Sequence, residues 1–369
     1  MALTNFAALT NEQKTLWATD LWKAARNMSF ITPFMGKGAN ALITHVTELK
    51  RDEKGARAVL TLLHDLEGDG VVGDNTLKGN EEEMKTSEQV IRIDQLRNAN
   101  KLKGRMADQK SIVTFRENSR DVLAYWLADR LDQLAFLTLS GISYTYKNNG
   151  ATRVGSAFPD LEFAADVSAP TSNRYVVWDA GNKDFTTNSS NASIVAADTP
   201  TYEMLVKLKA LAKDKYIRGI KGPRGEETYH VFMTPQGLAK LKLDPDFKNA
   251  VNNAGVRGNN NPVFTGSVPL VDGLVIHEYR HVFNTAGAAN GSKWGAGGAV
   301  DGQRVLFCGA QALGMADLGV PGWVENPDDY DNQKGIAIDK IAGFLKPKYK
   351  SLVDGTVEDF GVIACDTAL

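Results

Sequence analysis

A chain of 369 residues, 43% hydrophobic and 23% charged, has room for two or three domains and the balance of an ordinary globular protein. Its formal net charge of -2 gives no whole-molecule basic field, so sequence-driven nucleic-acid binding is not the expected activity. No apolar run approaches the ~18 residues of a membrane helix, and the opening MALTNFAALTNEQ lacks the basic and apolar regions of a secretory signal.

Taken in chain order, residues 1 to 9 read as a flexible arm. A helix is predicted over 11–27, opened by a capping box of Thr10 and Gln13 and striped by Leu16, Leu21, Trp22 and Ala25. ALITHVTEL (41–49) and ARAVLTLLHDL (56–66) are strand-like, and so is MKTSEQVIRIDQLRN (84–98). Between the last two lies a glycine-rich acidic stretch, which predicts a long β-hairpin arm with a polar tip. Lys101, Lys103 and Arg105 form a small basic cluster around Gly104, read as a solvated turn, with contact to nucleic acid or an acidic neighbour as the alternative.

The longest regular element is predicted over 108–140. Ile112, Phe115, Val122, Leu123, Trp126, Leu127, Leu131, Leu134 and Leu137 recur at three- and four-residue steps, with Arg116, Glu117, Arg120, Asp121, Asp129, Arg130 and Asp132 on the polar side. Gly141 ends it, giving a helix of ~50 Å at 1.5 Å per residue. Residues 143–199 read as loops or irregular β insertions. A second α/β region follows: helix 201–214, strand 229–233, short helices at 235–241 and 245–252, a strand through His277, a strand over 304–313, and extended runs to the C-terminus. Cys308 and Cys365 sit in the apolar runs VLFCGA and GVIACDTA and read as small buried hydrophobes, which fits a reducing cytoplasm.

Three motifs suggest catalysis, and each lacks its context. GLVIHEYRHVF (273–283) contains H-E-x-x-H, the zinc-protease pattern, at His277, Glu278 and His281. The motif works only on a helix, yet Asp272-Gly273 is a turn signal and the run is rich in β-branched and aromatic residues. In a strand the two imidazoles stand ~13 Å apart, too far for one zinc bound at ~2.1 Å to each. Residues 284–295 supply no third ligand, and His45, His64 and His230 lie in unrelated segments. Gly68, Gly70 and Gly73 spell G-x-G-x-x-G, but acidic residues and structure breakers follow where a helix must take a pyrophosphate. Asp359-Phe360-Gly361 matches the kinase triplet without any of its companion loops. Glu81, Glu82 and Glu83 are carboxylates without metal-site spacing, read as a solvated loop. No catalytic residue, cofactor site or metal site is therefore expected.

What remains is shape. An arm, a protruding hairpin and a very long helix leave apolar residues such as Val71, Val72, Leu77 and Val90 for neighbouring subunits to cover. In this light the sequence resembles the major capsid proteins of tailed double-stranded DNA bacteriophages of the N-four type. The likeness rests on LEGDGVVGDNTLKGNEEEM (66–84), IRIDQLRNANKLKGRM (91–106), WLADRLD (126–132) and the closing DFGVIACDTA (359–368).

The resemblance implies an α+β chain with the Hong Kong 97-type fold. It implies an N-terminal arm and helix over 1–30 and an extended E-loop over 50–95. The P-domain would be 31–49, 96–144 and 326–352, with spine helix 108–140; the A-domain would be 145–325 and 353–369. Assembly candidates at the E-loop tip are Gly68, Asp69, Gly70, Val71, Val72, Gly73, Leu77 and Gly79. The implied partners are other copies of the chain in pentamers and hexamers, a portal, decoration or scaffolding proteins, and packaged DNA contacted without sequence specificity. The implied location is the virion capsid, assembled in the bacterial cytoplasm. An encapsulin-like shell shares the fold, and a zinc hydrolase built on His277, Glu278 and His281 is the enzymatic alternative.

Overall fold

The computed structural model describes residues 11–46, 57–63, 66, 68–84, 86–110, 114–187, 190–222, 225–253, 270–330, 332–351 and 355–369. Helix α1 (Asn11–Met28) fits the expected N-terminal helix; Thr10 of its capping box lies outside the described residues. Leu21 and Ala25 of its stripe are buried, whereas Leu16 is 64% exposed.

A six-stranded sheet is built around the thirteen-residue β15 (Gln333–Leu345). Its core order is β1 (Met35–Gly36), β2 (Ile43–Val46), β13 (Leu313–Asp317), β15 and β14 (Gly322–Asp328), with β5 (Asp94–Lys101) also on β15. One strand takes three partners because it is long enough to share itself along its length. Gln333 to Asp339 pair with β14, Gly335 to Ala342 with β5, and Ala342 to Leu345 with β13.

The second sheet has eight strands. Its path is β10 (Leu270–Val271), β11 (Leu274–Glu278), β9 (Glu227–Met233), β12 (Gly302–Cys308), β18 (Val362–Ala368), β6 (Tyr175–Asp179) and β7 (Asp184–Thr187), with β8 (Ile220–Lys221) on β9. Strands β12 and β18 are buried along their whole length. Side chains alternate across a strand, so Val305 and Phe307 of β12 pack under α4 (Tyr202–Asp214), α5 (Pro235–Leu243) and α6 (Pro245–Asn253). Leu306 and Cys308 face the opposite core. Thr201 and Thr234 cap α4 and α5 with their side chains, as expected of threonine at that position. Residues 143–199, expected as loops or irregular β insertions, supply β6 and β7 at the edge of this sheet.

The long helix α3 (Phe115–Ser140) lies between the two sheets and packs on α1. It is shorter than the sequence suggests, about 39 Å at 1.5 Å per residue. A separate short helix α2 (Arg105–Gln109) precedes it, and Thr114 with extended ψ 112 restarts the chain as the N-cap of α3. At the other end Gly141 has φ 66, and any β-carbon there would lie 2.4 Å from the Ser168 carbonyl oxygen. Two further strands, β16 (Lys348–Lys350) and β17 (Val357–Asp359), pair with each other.

Asp132 corrects the expected polar face of α3. It is 1% exposed and accepts hydrogen bonds from Ser29 Oγ (2.7 Å), the Phe30 amide (2.8 Å) and the Tyr279 hydroxyl (2.6 Å). It therefore ties the segment leaving α1 to α3 and to the turn after β11. Burial, and then the Asp132 charge, raise the Tyr279 pKa well above its ordinary value.

Candidate functional site: the hairpin tip and the histidine motif

Strands β3 (Arg57–Leu63) and β4 (Thr86–Arg92) form the expected antiparallel hairpin, in register from Arg57↔Arg92 to Leu63↔Thr86. Its base carries a small apolar core of Ala58, Leu60 and Ile91 on Ala316 of β13. Glycine makes that seat possible. A β-carbon on Gly343 of β15 would lie 2.0 Å from the Arg92 carbonyl oxygen. The expected run over 84–98 is thus two strands, β4 on the hairpin and β5 on the sheet, separated at Ile93.

Beyond the strands the tip is held by its own polar groups. Glu82 accepts from the Gly68 amide at 2.8 Å, and Glu81 from the Gly79 amide at 2.6 Å. The Asn75 side chain donates to the Val72 carbonyl at 2.7 Å. Gly70, Gly73 and Gly79 have φ of 75°, 69° and 91°, the left-handed region that favours glycine, and nothing lies within 4 Å of a β-carbon built on any of them. Val72 is 77% exposed and Leu77 61%, while Val71 is half-buried. The eight residues singled out at the tip, Gly68 to Gly79, thus sit together on one projecting, self-supported loop. It presents apolar side chains that its own chain leaves bare, and these glycines surround no pyrophosphate cradle at a helix N-terminus.

The H-E-x-x-H residues go to separate places. Strand β11 ends at Glu278, so it carries His277 but not His281, where the strand reading expected both, and the Tyr279 amide donates to the Met233 carbonyl at 3.0 Å as the chain turns. His277 Nε2 meets His230 Nδ1 at 2.8 Å, with the rings stacked at 5.0 Å. Sequence spacing missed this pair: 46 residues intervene, and only the parallel register of β9 on β11 brings the two rings together. Phe30 and Phe34 pack edge-on against His277. Burial, and then the His230 charge, push the His277 pKa down to about 4, and burial also lowers that of His230. His281 instead meets Asp129 of α3 at 2.7 Å. Among the described residues no group of three His, Cys, Asp or Glu side chains could hold a metal; His64 lies outside them.

The remaining motif is structural too. Asp359 is fully buried and accepts from Lys346 Nζ at 2.8 Å, and a β-carbon on Gly361 would lie 2.4 Å from the Ala310 carbonyl oxygen. Arg304 holds Asp366 through two bonds of 2.7 and 2.8 Å and donates to the Ser140 carbonyl at 2.7 Å, joining β12, β18 and the end of α3. Burial lowers the Lys346 pKa despite its Asp359 partner. Burial raises the thiol pKa values of both free cysteines, Cys308 and Cys365, so neither is poised as a nucleophile.

The tip thus offers an exposed apolar surface. The sequence profile of the family described as phage capsid protein matches residues 5–369. This chain belongs to the phage capsid protein family. It is 60% identical over 361 residues to the major capsid protein of Pseudomonas phage KPP25, spanning 98% of this chain and 96% of that relative. The capsid structure of Ralstonia phage GP4 matches with a TM-score of 0.75 at 26% identity, over 92% of this chain and 91% of that one. The cyanophage Pam1 capsid matches with a TM-score of 0.70 at 17% identity, over 100% of this chain and 96% of that one. The fold is the α+β Hong Kong 97-type, and the role is that of a structural component of a phage capsid shell, not an enzyme.

Proposed function

We propose that the chain assembles through pentamers and hexamers into an icosahedral shell enclosing the double-stranded DNA genome, with the β3–β4 hairpin as the E-loop that reaches a neighbouring subunit. The observation that carries this reading is the tip: folded on its own polar contacts, yet exposing Val72 and Leu77. Gly68, Asp69, Gly70, Val71, Val72, Gly73, Leu77 and Gly79 are its contact residues, the glycines allowing bending between quasi-equivalent positions.

In this reading residues 1–30 are the N-terminal arm and helix, and 50–95 the E-loop. Residues 31–49, 96–144 and 326–352 form the P-domain and the rest the A-domain. The six-stranded sheet includes β13 and all of β14, so we draw the later P-domain boundary before Leu313 instead of at 326. A portal, decoration or scaffolding proteins, and non-specific contact of inner-face basic residues with packaged DNA complete the partners. Assembly takes place in the bacterial cytoplasm. An encapsulin-like shell would differ in its contents.

Negative-stain electron microscopy of the purified protein, expressed alone and with its neighbouring genes, tests the reading. Closed shells of pentamers and hexamers holding DNA after packaging are expected. Small discrete particles under every condition would contradict it.

A further inference from the structure

One surface away from the hairpin carries an unbalanced charge. A groove of about 620 Å³ runs beside the middle of α3, where that helix meets the turn after β11 and the loop after Gly141. Arg130, Lys147, Arg153 and Arg280 line it as permanent cations, with Asp129 as the one carboxylate. That single carboxylate is already shared: His281 lies 2.7 Å from it and Arg130 3.4 Å, and Arg280 also pairs with it. Arg153 has neutral partners instead, the Tyr146 carbonyl at 3.0 Å and Gln133 Oε1 at 3.1 Å. Lys147 is exposed and has no ion pair among the described residues. Burial first, and then the Arg130 charge, lower the Arg153 pKa, as expected where positive field is uncompensated. The lining also has an apolar member, Phe158, with the Arg153 guanidinium 4.7 Å over its ring, and Val154, next to Arg153 in the chain but outside that lining, is 93% exposed.

The hairpin tip is its complement. Residues 66–84 hold six carboxylates against one lysine. Glu81 and Glu82 are engaged with backbone amides of the tip itself, whereas Asp69 and Asp74 are exposed and have no ion pair among the described residues. The same loop exposes Val72 and Leu77. We infer that this groove is the receptor for the acidic tip of a second copy of the chain, with Lys147, Arg153 and Arg280 facing Asp69 and Asp74, and Val72 or Leu77 packing beside Phe158 and Val154. The inference rests on the proposed assembly and assigns it a specific contact. Duplex DNA would satisfy the cations, but its phosphate backbone offers nothing to the apolar part of the groove. The tip offers both.

Three full-length variants test the pairing. The first reverses the groove, Lys147→Glu with Arg280→Glu; the second reverses the tip, Asp69→Lys with Asp74→Lys; the third carries all four changes. Shell yield is read by electron microscopy and subunit self-association by sedimentation velocity. Like-charge contacts oppose docking, so each two-residue variant should lose about tenfold or more of wild-type association. The four-residue variant should regain most of it, because the pair is restored with its signs exchanged. That recovery also shows that neither change simply unfolds the subunit. Normal association of either two-residue variant would overturn the inference, as would loss in both without recovery. So would a groove variant that forms normal shells but retains less DNA, which would assign the groove to the genome. Wild-type subunits that form no shell while the sedimentation pattern holds would count against the icosahedral reading and leave this contact standing.

Discussion

The eight-stranded sheet and the hairpin tip handle their polar and apolar groups in opposite ways. In the sheet, β12 and β18 are buried throughout, and their charges are matched inside: Arg304 with Asp366, both under 10% exposed. At the tip, backbone amides are matched locally by Glu81 and Glu82, but Val72 and Leu77 face solvent. The first region completes itself within one chain. The second is complete as a conformation but leaves apolar side chains bare, the surface that the proposed assembly would cover. The same chain thus separates the residues that make a subunit from those available to make a shell.

That separation can be broken from the core outward. Replacing Asp366 by Ala strands Arg304 in the core, and removing one partner of a buried pair costs about 3–5 kcal/mol. Urea unfolding of the subunit should show a loss of that order, and a change no larger than a surface substitution would deny the pair its structural role. Replacing Gly343 by Val drives side-chain atoms into the Arg92 carbonyl, which already lies 2.0 Å from a β-carbon position. Overpacking of this kind costs about 1–3 kcal/mol, and hydrogen exchange should report the loosening first in β3 and β4.

A third change sharpens the comparison through pH. In the folded chain His277 stays neutral down to about 4, whereas in the unfolded chain it takes up a proton near its ordinary value of 6.5. The unfolded state therefore binds more protons between those values, so the stabilising contribution is complete above pH 6.5 and is lost as pH falls toward about 4. Melting temperature should drop over that window, and His277→Phe should flatten part of the drop. An unchanged profile in the variant would show that the histidine pair does not carry it. The smallest effect on the subunit is expected from Val72→Ser or Leu77→Ser, within about 0.5 kcal/mol for an exposed site, although shell formation should weaken.

Much of this division is legible in the sequence. The hairpin, its bare tip, the helices α1 and α4 to α6 and the failure of the three catalytic motifs follow from local spacing and turn chemistry. What escapes is long-range. Asp132 looks like one more polar residue of α3, because nothing local says that the amides of Phe30 and Ile31 and the Tyr279 hydroxyl converge on it. His230 and His277 meet through strand register, and β15 serves three partners, neither of which a periodicity can encode. The expected single helix over 108–140 divides where Thr114 takes extended backbone ahead of α3, a local choice of ψ that apolar spacing conceals.

That the tip builds shells without building the subunit is the core of the proposed assembly. Its most direct test is deletion of residues 67–83, followed by circular dichroism of the purified subunit and electron microscopy under conditions where the intact chain forms shells. A soluble, cooperatively folded subunit and no closed shells are expected. Normal shells from the shortened chain would contradict that role of the tip.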